Sequence, residues 1–404
     1  MGPIALFDKS FLQSLSLNES LFFDHFFLSV ICPLFYVETL ADLEKAVRQG
    51  RTPEQEVGTI ASKTPELHGA LCASHLQICA SSLLGNEMPM DGRVPRAGGR
   101  HVNVHGKKGI VYEPSPEEEA FSRWQQGDFL QVERRFAKTW RHNLKSADPS
   151  GIADALIAMG INPRACKTLE QAKRAAESFV QSCEAPRDRM NLACIVLGLP
   201  TRLEEKIYDR WRMAGHPVLT GYSPYAAFAA PVALFFHIAL GASLLSRADQ
   251  MDISYLYYLP FCMIFTSSDR LHETTAPLFL RPDQAFVWGR DLKTDLKHIV
   301  EHYLSVPEVE REQGIFRLAP SPPRDSLVAS LWKRHLGREK VERPEIDLDA
   351  PSNKDLVNAV RMITEAPAIP TDEVASQEEI SSVAIERYIR KRRGSFYQVP
   401  KDED

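Results

Sequence analysis

The stretch from Asp252 to Asp269 limits the folds open to this chain more than any other. Asp252 opens a short aromatic and apolar run, Ile253 to Leu259, that reads as helix until Pro260 breaks it. Cys262 to Thr266 then reads as a short, fully buried strand, and it ends in the polar turn Thr266-Ser267-Ser268-Asp269. A helix start and a strand end can lie side by side at one edge of an α/β sheet, which brings the two aspartates together. Ligands of open α/β sheets gather at the carboxyl ends of strands. Carboxylates meeting there repel one another and require a cation or a proton between them.

The N-terminal segment repeats the device. Ile4-Ala5-Leu6-Phe7 is a short apolar strand ending in Asp8, followed by Lys9-Ser10 and an amphipathic run. A second apolar run, Val30 to Phe35, leads into Tyr36-Val37-Glu38-Thr39-Leu40, the first turn of a helix that continues through Val47 to Gly50. Asp8, Glu38, Asp252 and Asp269 thus all stand at strand ends or helix starts. Strand-Asp, strand-helix-Glu, Asp opening a helix, and strand-Thr/Ser-x-Asp, in that order, resemble the PIN-domain family of metal-dependent nucleases. The resemblance covers roughly residues 1–50 and 245–305, with a long insertion where compact members of the family have a short one.

The resemblance implies an α/β, three-layer PIN-like domain with a central, mostly parallel sheet. Residues 1–50 and 221–305 would form its two parts, 51–220 a helical insertion and 306–404 a helical, linker-rich C-terminal extension. It further implies that Asp8, Glu38, Asp252 and Asp269 hold Mg²⁺ or Mn²⁺, Asp8 and Asp252 most directly. Such ions take hard oxygen ligands, make hydroxide from water and stabilise a departing alkoxide. The expected activity is endonucleolytic phosphodiester hydrolysis, with RNA favoured over DNA as substrate. Asp249, three residues before Asp252, competes for its role. The contrary reading makes the acids helix caps and solvated strand ends of a degenerate fold, a scaffold that binds partners through insertion and tail.

Phosphate contacts are expected from residues beside the acids and from one basic segment. Lys9 and His272 flank the quartet, and the hydroxyls of Thr266, Ser267 and Ser268 can orient a carboxylate or water. The Gly- and Arg-rich segment from Asp91 to Gly109 carries Arg93, Arg96, Arg100, Lys107 and Lys108 and reads as a loop that tracks a phosphate backbone or is merely solvated. His101 and His105 have helical spacing, but the glycines around them argue against a helix and a zinc site. The tail Ile385 to Tyr397 reads as a basic helix end with aromatics, fit for nucleic acid or a protein partner. The insertion would shape substrate access, or hold the enzyme idle until a partner arrives, a regulatory protein or a second copy of the chain.

Elsewhere the sequence predicts helices at 67–84, from 116 through Trp140, and at 150–159, 168–184, 188–197, 202–213, 291–304, 325–336, 353–364 and 377–393, with a strand at 284–289. Thr- and Pro-rich residues after Asp269 read as a linker. The net charge of −5 gives no global pull toward nucleic acid, so binding must rest on a local patch. Seven cysteines, an odd count without Cys-x-x-Cys spacing, suggest reduced thiols and a cytoplasmic protein. The uncharged run Tyr225 to Leu245 is long enough for a membrane span but reads better as a helix buried against the sheet, so no membrane partner is expected. The phosphate-binding, dinucleotide, zinc-protease and esterase motifs are missing.

Overall fold

The computed structural model describes residues 2–41, 52–66, 68–96, 99–104, 107–112, 116–130, 133, 154, 156–182, 184–337, 362, 365–367, 392–398 and 401. In chain order the strands are β1 (Ile4–Phe7), β2 (Leu28–Ile31), β3 (Gly69–Leu71), β4 (Arg100–Val104), β5 (Lys107–Val111), β6 (Ile264–Ser267), β7 (Ala285–Trp288), β8 (Arg392–Arg393) and β9 (Phe396–Tyr397). Five of them form one parallel sheet in the order β3-β2-β1-β6-β7, and the other four make two small antiparallel hairpins. The protein is therefore α/β. β1 sits at the centre, with Leu6 in register with Val30 on one side and Phe265 on the other. The chain runs outward from β1 through β2 to β3, then returns to the opposite side of β1 for β6 and β7. The direction of travel reverses between β1 and β6, where a parallel sheet opens a crevice at its carboxyl edge.

Helices cover both faces. Phe7 meets Phe23 of the helix Leu17–Phe26 edge-on at 5.7 Å, and Phe22 of that helix stacks on Tyr303 of the helix Gly289–Leu304 at 5.2 Å. Thr266 is in register with Phe7 and shares its face, so Phe265 and Ser267 point to the other. There His272 of the helix Arg270–Phe279 meets Phe265 at 5.0 Å, and Phe279 meets Phe235 of the helix Pro224–Gly241 at 5.2 Å. That last helix is long and apolar enough by composition to cross a membrane, and 67% of it is buried inside the protein. Its even apolarity follows from being surrounded: it packs against the helices Leu169–Gln181 and His75–Leu83 as well.

Several expectations change. Residues 67–84 are not one helix: Gly69–Leu71 is the edge strand β3, and the helix starts at His75, capped by Ser74 with Gln77 reaching back to the Ser74 amide at 3.0 Å. Pairing with β2 overrides the helical spacing of the apolar residues, and Leu76 in the remaining helix is 43% exposed. The sheet thus takes a strand from within the stretch read as insertion. The segment after Asp269 is a helix rather than a linker, because Asp269 caps it and Pro277 lies near its end. Of the basic segment read as a loop from Asp91 to Gly109, Asp91 to Arg96 is irregular as expected, whereas from Arg100 on it is the β4–β5 hairpin. Helices read at 168–184, 188–197 and 202–213 are present as Leu169–Gln181, Pro186–Val196 and Thr201–Met213. The helix from 116 ends at Gln125 rather than running through Trp140, because the chain turns at Gln126-Gly127 with Gly127 at φ +79°; residues 131–132, 134–140 and nearly all of 353–364 lie outside the described residues. Of the helix read at 377–393, only Arg392 and Arg393 are described, and they form β8.

Candidate functional site

Asp8 leaves the end of β1 and caps the helix Lys9–Ser14, its Oδ1 accepting from the Phe11 amide at 2.9 Å. Its Oδ2 accepts from the hydroxyls of Ser10 and Ser267, each at 2.7 Å, and lies 3.5 Å from His272 Nδ1. Ser267 Oγ also stands 2.8 Å from His272 Nδ1 and accepts from the Asp269 amide at 2.9 Å. His272 Nε2 faces the carbonyl of Asp252 at 2.8 Å, so it must donate. If the Ser267 proton goes to Asp8, His272 Nδ1 must donate as well, and the ring carries both protons. Burial opposes this charge on both partners. The Asp8 hydrogen bond and charge outweigh it and raise the His272 pKa, while His272 holds the Asp8 carboxyl below its usual range. The carboxyl ends of β1 and β6 are thereby joined by a buried ion pair with a serine between its members.

The other acids gather around this pair. Asp252 lies in the first turn of the helix Gln250–Tyr255, half-buried. Burial pushes its carboxyl up to about 6; His272 opposes the rise, and the negative charges of Asp269, Asp8 and Asp249 add to it. Asp269 is half-buried, its Oδ1 accepting from the Leu271 amide at 2.7 Å. Glu38, in the helix Pro33–Ala41, accepts from the Tyr255 hydroxyl at 2.6 Å. Burial, then the charges of Glu38 and Asp8, raise the Tyr255 phenol well above its ordinary value, so it stays a donor. Asp249 caps the turn before the helix, accepting from the Ser246 amide at 2.7 Å and hydroxyl at 3.0 Å. Asp252 is therefore the acid left without a compensating donor of its own among the hydrogen bonds described.

No protein-family model, no curated protein and no solved structure matches this chain. The site rests on its own geometry.

As a donor set, four carboxylates suit a hard divalent cation. Among the described residues, however, no three His, Cys, Asp or Glu side chains are grouped closely enough to hold one metal ion as they stand. Asp8 is only 3% exposed and already accepts three hydrogen bonds, and Glu38 is engaged with Tyr255. The fit to a metal is thus one of charge and donor chemistry, not of assembled coordination.

The flanking residues are placed differently from their sequence reading. His272 is fully buried as the partner of Asp8, and Lys9 is 2% exposed and already engaged in a contact. Neither is a surface residue. Thr266 lies on the opposite face beside Phe7, fully buried, with a hydroxyl that finds no partner among the described residues. Ser268 stays half-buried at the strand end, its amide donating to Ser10 Oγ at 3.3 Å. Arg96 pairs with Glu118 at 3.0 Å and covers the Tyr112 ring, and Arg100 donates to the Ala366 carbonyl. Lys107 and Lys108 lie in β5, their side chains outside the described residues. Glu118 belongs to the helix Pro116–Gln125, whose Trp124 stacks on Tyr36 at 5.1 Å. Tyr36 shares its helix with Glu38, so Arg96 is tied through packing to the edge that carries the acids. Sequence reasoning missed Ser10 and Tyr255 as members of the site; a hydroxyl two residues after a strand-end Asp is the one local signal for Ser10.

Proposed function

We propose that this protein is a PIN-like, Mg²⁺- or Mn²⁺-dependent nuclease that hydrolyses phosphodiester bonds, with RNA favoured over DNA. One observation carries the reading. Asp252 is held partly out of water, next to Asp269 and Asp8, with its carboxyl raised to about 6. A fold gives up stability to keep such a charge where function requires it, and a perturbed acid at the carboxyl edge of a parallel sheet is the expected mark of a site. A divalent cation would offset the repulsion. Asp252 and Asp269 would hold it, with Glu38 and Asp8 completing the set. When bound it would supply a hydroxide at neutral pH and stabilise the leaving oxygen. Ser10, Ser267 and His272 would keep the Asp8 carboxylate oriented, and Tyr255 would hold Glu38. Phosphate recognition would then fall to the β4–β5 hairpin and to Ser268.

The second reading, a scaffold with a degenerate site, is favoured by the saturated hydrogen bonding of Asp8 and by the lack of three grouped ligands among the described residues. Calorimetric titration with Mn²⁺, beside cleavage of mixed single-stranded RNA and DNA, separates the two. Millimolar-range Mn²⁺ binding and RNA cleavage, both lost in Asp252→Asn, support the nuclease. A folded protein that binds no Mn²⁺ and cleaves neither polymer is the scaffold.

A further inference from the structure

The hairpin of β8 and β9 is docked on the helix Leu17–Phe26 as a peptide ligand would be. Arg393 enters the protein completely: Nη1 donates to Asp24 Oδ2 at 3.2 Å with both side chains 0% exposed. Its Nη2 donates to Ser20 Oγ at 3.1 Å and to the Thr64 carbonyl at 3.3 Å. Gly394 follows at φ +58°, and a Cβ there would collide with Asn18 Oδ1, so only glycine fits. The Asn18 side chain clamps the next residue from both sides, accepting from the Ser395 amide at 2.9 Å and donating to Ser395 Oγ at 3.2 Å. Phe396 is fully buried, edge-on to Phe22 at 5.1 Å. Arginine, glycine, serine and phenylalanine each meet a fitted receptor group on one helix.

The hairpin cannot owe its position to itself. Its strands are two residues each, and an isolated two-stranded hairpin is marginal in water. Its order comes from the receptor face, through a desolvated arginine and an aromatic anchor, the residue types that dominate peptide and protein recognition. Asp24 also accepts from the amides of Glu66 at 2.7 Å and His68 at 2.9 Å, immediately before β3. Asp24 thus joins the arginine pocket to the segment that leads into the edge strand β3.

We propose that this face of the helix Leu17–Phe26 is a peptide-docking site selective for an Arg-Gly-Ser-Phe segment, filled in cis by residues 393–396 acting as a detachable latch. The site is independent of the nuclease reading. Its test uses full-length Arg393→Ala and a fluorescein-labelled peptide spanning residues 391–400, followed by anisotropy and thermal unfolding. The peptide should bind the variant saturably and raise its Tm, while wild type, its site filled, should bind about tenfold more weakly or worse. Replacing the peptide's arginine by alanine, or adding Asp24→Asn to the protein, should cost a further factor of about ten or more. A folded variant that neither binds nor shifts overturns the proposal, as does equal binding to wild type or to the alanine peptide. Arg393→Lys keeps the charge but loses the planar fork, so it serves if the alanine variant does not fold. The wild-type peptide must displace its loosened segment, and failure to do so overturns the proposal equally.

Discussion

Asp24 and Asp252 are both carboxylates removed from water, and they are treated in opposite ways. Asp24 receives an arginine and two backbone amides inside the core, so its charge is matched from every side. Asp252 receives company of its own sign: Asp269, Asp8 and Asp249 raise it further, and His272 is already committed to Asp8. A buried pair holds a structure together when each partner is satisfied, and losing one partner leaves a costly orphan. An acid left unmatched destabilises the fold it sits in, and such sites are where binding and chemistry are found. The contrast separates an acid whose charge is matched from one whose charge is not, and the proposed site is built around the second.

The largest effect expected is on cleavage. Asp252→Asn and Asp8→Asn should each lower Mn²⁺-dependent RNA hydrolysis by about 10³-fold, since a lost ligand removes several kcal/mol of charge stabilisation. Single-turnover rates at saturating Mn²⁺ measure this, and unchanged rates would put the chemistry elsewhere. On the structural side, Arg393→Ala should cost about 3–5 kcal/mol, because it strands Asp24 in the core. Urea unfolding reads that loss directly. A cost near zero would mean that Asp24 is satisfied by the Glu66 and His68 amides alone and that the two acids differ less than their surroundings suggest.

The part of this organisation that sequence made visible is the part written locally. Ile4 to Phe7 and Cys262 to Thr266 are short apolar runs that read as strands, the second observed at Ile264–Ser267, and Asp8 and Asp269 follow them as caps of the next helices. The convergence of those acids follows from placing two buried parallel strands side by side. What stayed hidden depends on pairing at a distance. Gly69–Leu71 carries a helical pattern and becomes strand only because β2 offers an edge. His272 and Lys9 have the composition of surface residues and are buried, His272 because Asp8 supplies the counter-charge. Arg393 sits in a run of basic residues that reads as a solvated helix end, and nothing nearby in sequence announces Asp24, 369 residues away, as its partner.

A smaller effect, with the opposite sign, tests the comparison from the side of Asp252. Its folded pKa is raised to about 6 from the ordinary aspartate value of 3.8. Well below pH 3.8 the group is protonated in folded and unfolded chains alike and contributes nothing. As pH rises, the unfolded chain ionises first, so stability falls between about pH 4 and 6, and the full cost persists above. Asparagine removes that cost. In EDTA at pH 8, Asp252→Asn should be more stable than wild type by about 3 kcal/mol, since each tenfold change in proton affinity on folding is worth about 1.4 kcal/mol. The gain should fall steeply toward pH 4, vanish at about pH 3 and shrink when Mn²⁺ is added to wild type. A variant less stable than wild type at pH 8 would make Asp252 a matched structural acid like Asp24.

The smallest effect concerns how Glu38 is held. Tyr255→Phe removes the 2.6 Å hydrogen bond to Glu38 without opening a cavity, because the ring keeps its place against His272 at 5.6 Å. The loss should be about 1.5 kcal/mol, the net worth of one hydrogen bond to a charged acceptor. Glu38 keeps its place on the helix Pro33–Ala41, so cleavage should change by less than about tenfold, which is a barrier change below about 1.4 kcal/mol. If Tyr255→Phe abolishes cleavage as completely as Asp252→Asn while the fold survives, the phenol takes part in the chemistry. The functional side of the comparison would then extend from unmatched carboxylates to the donor that holds one of them.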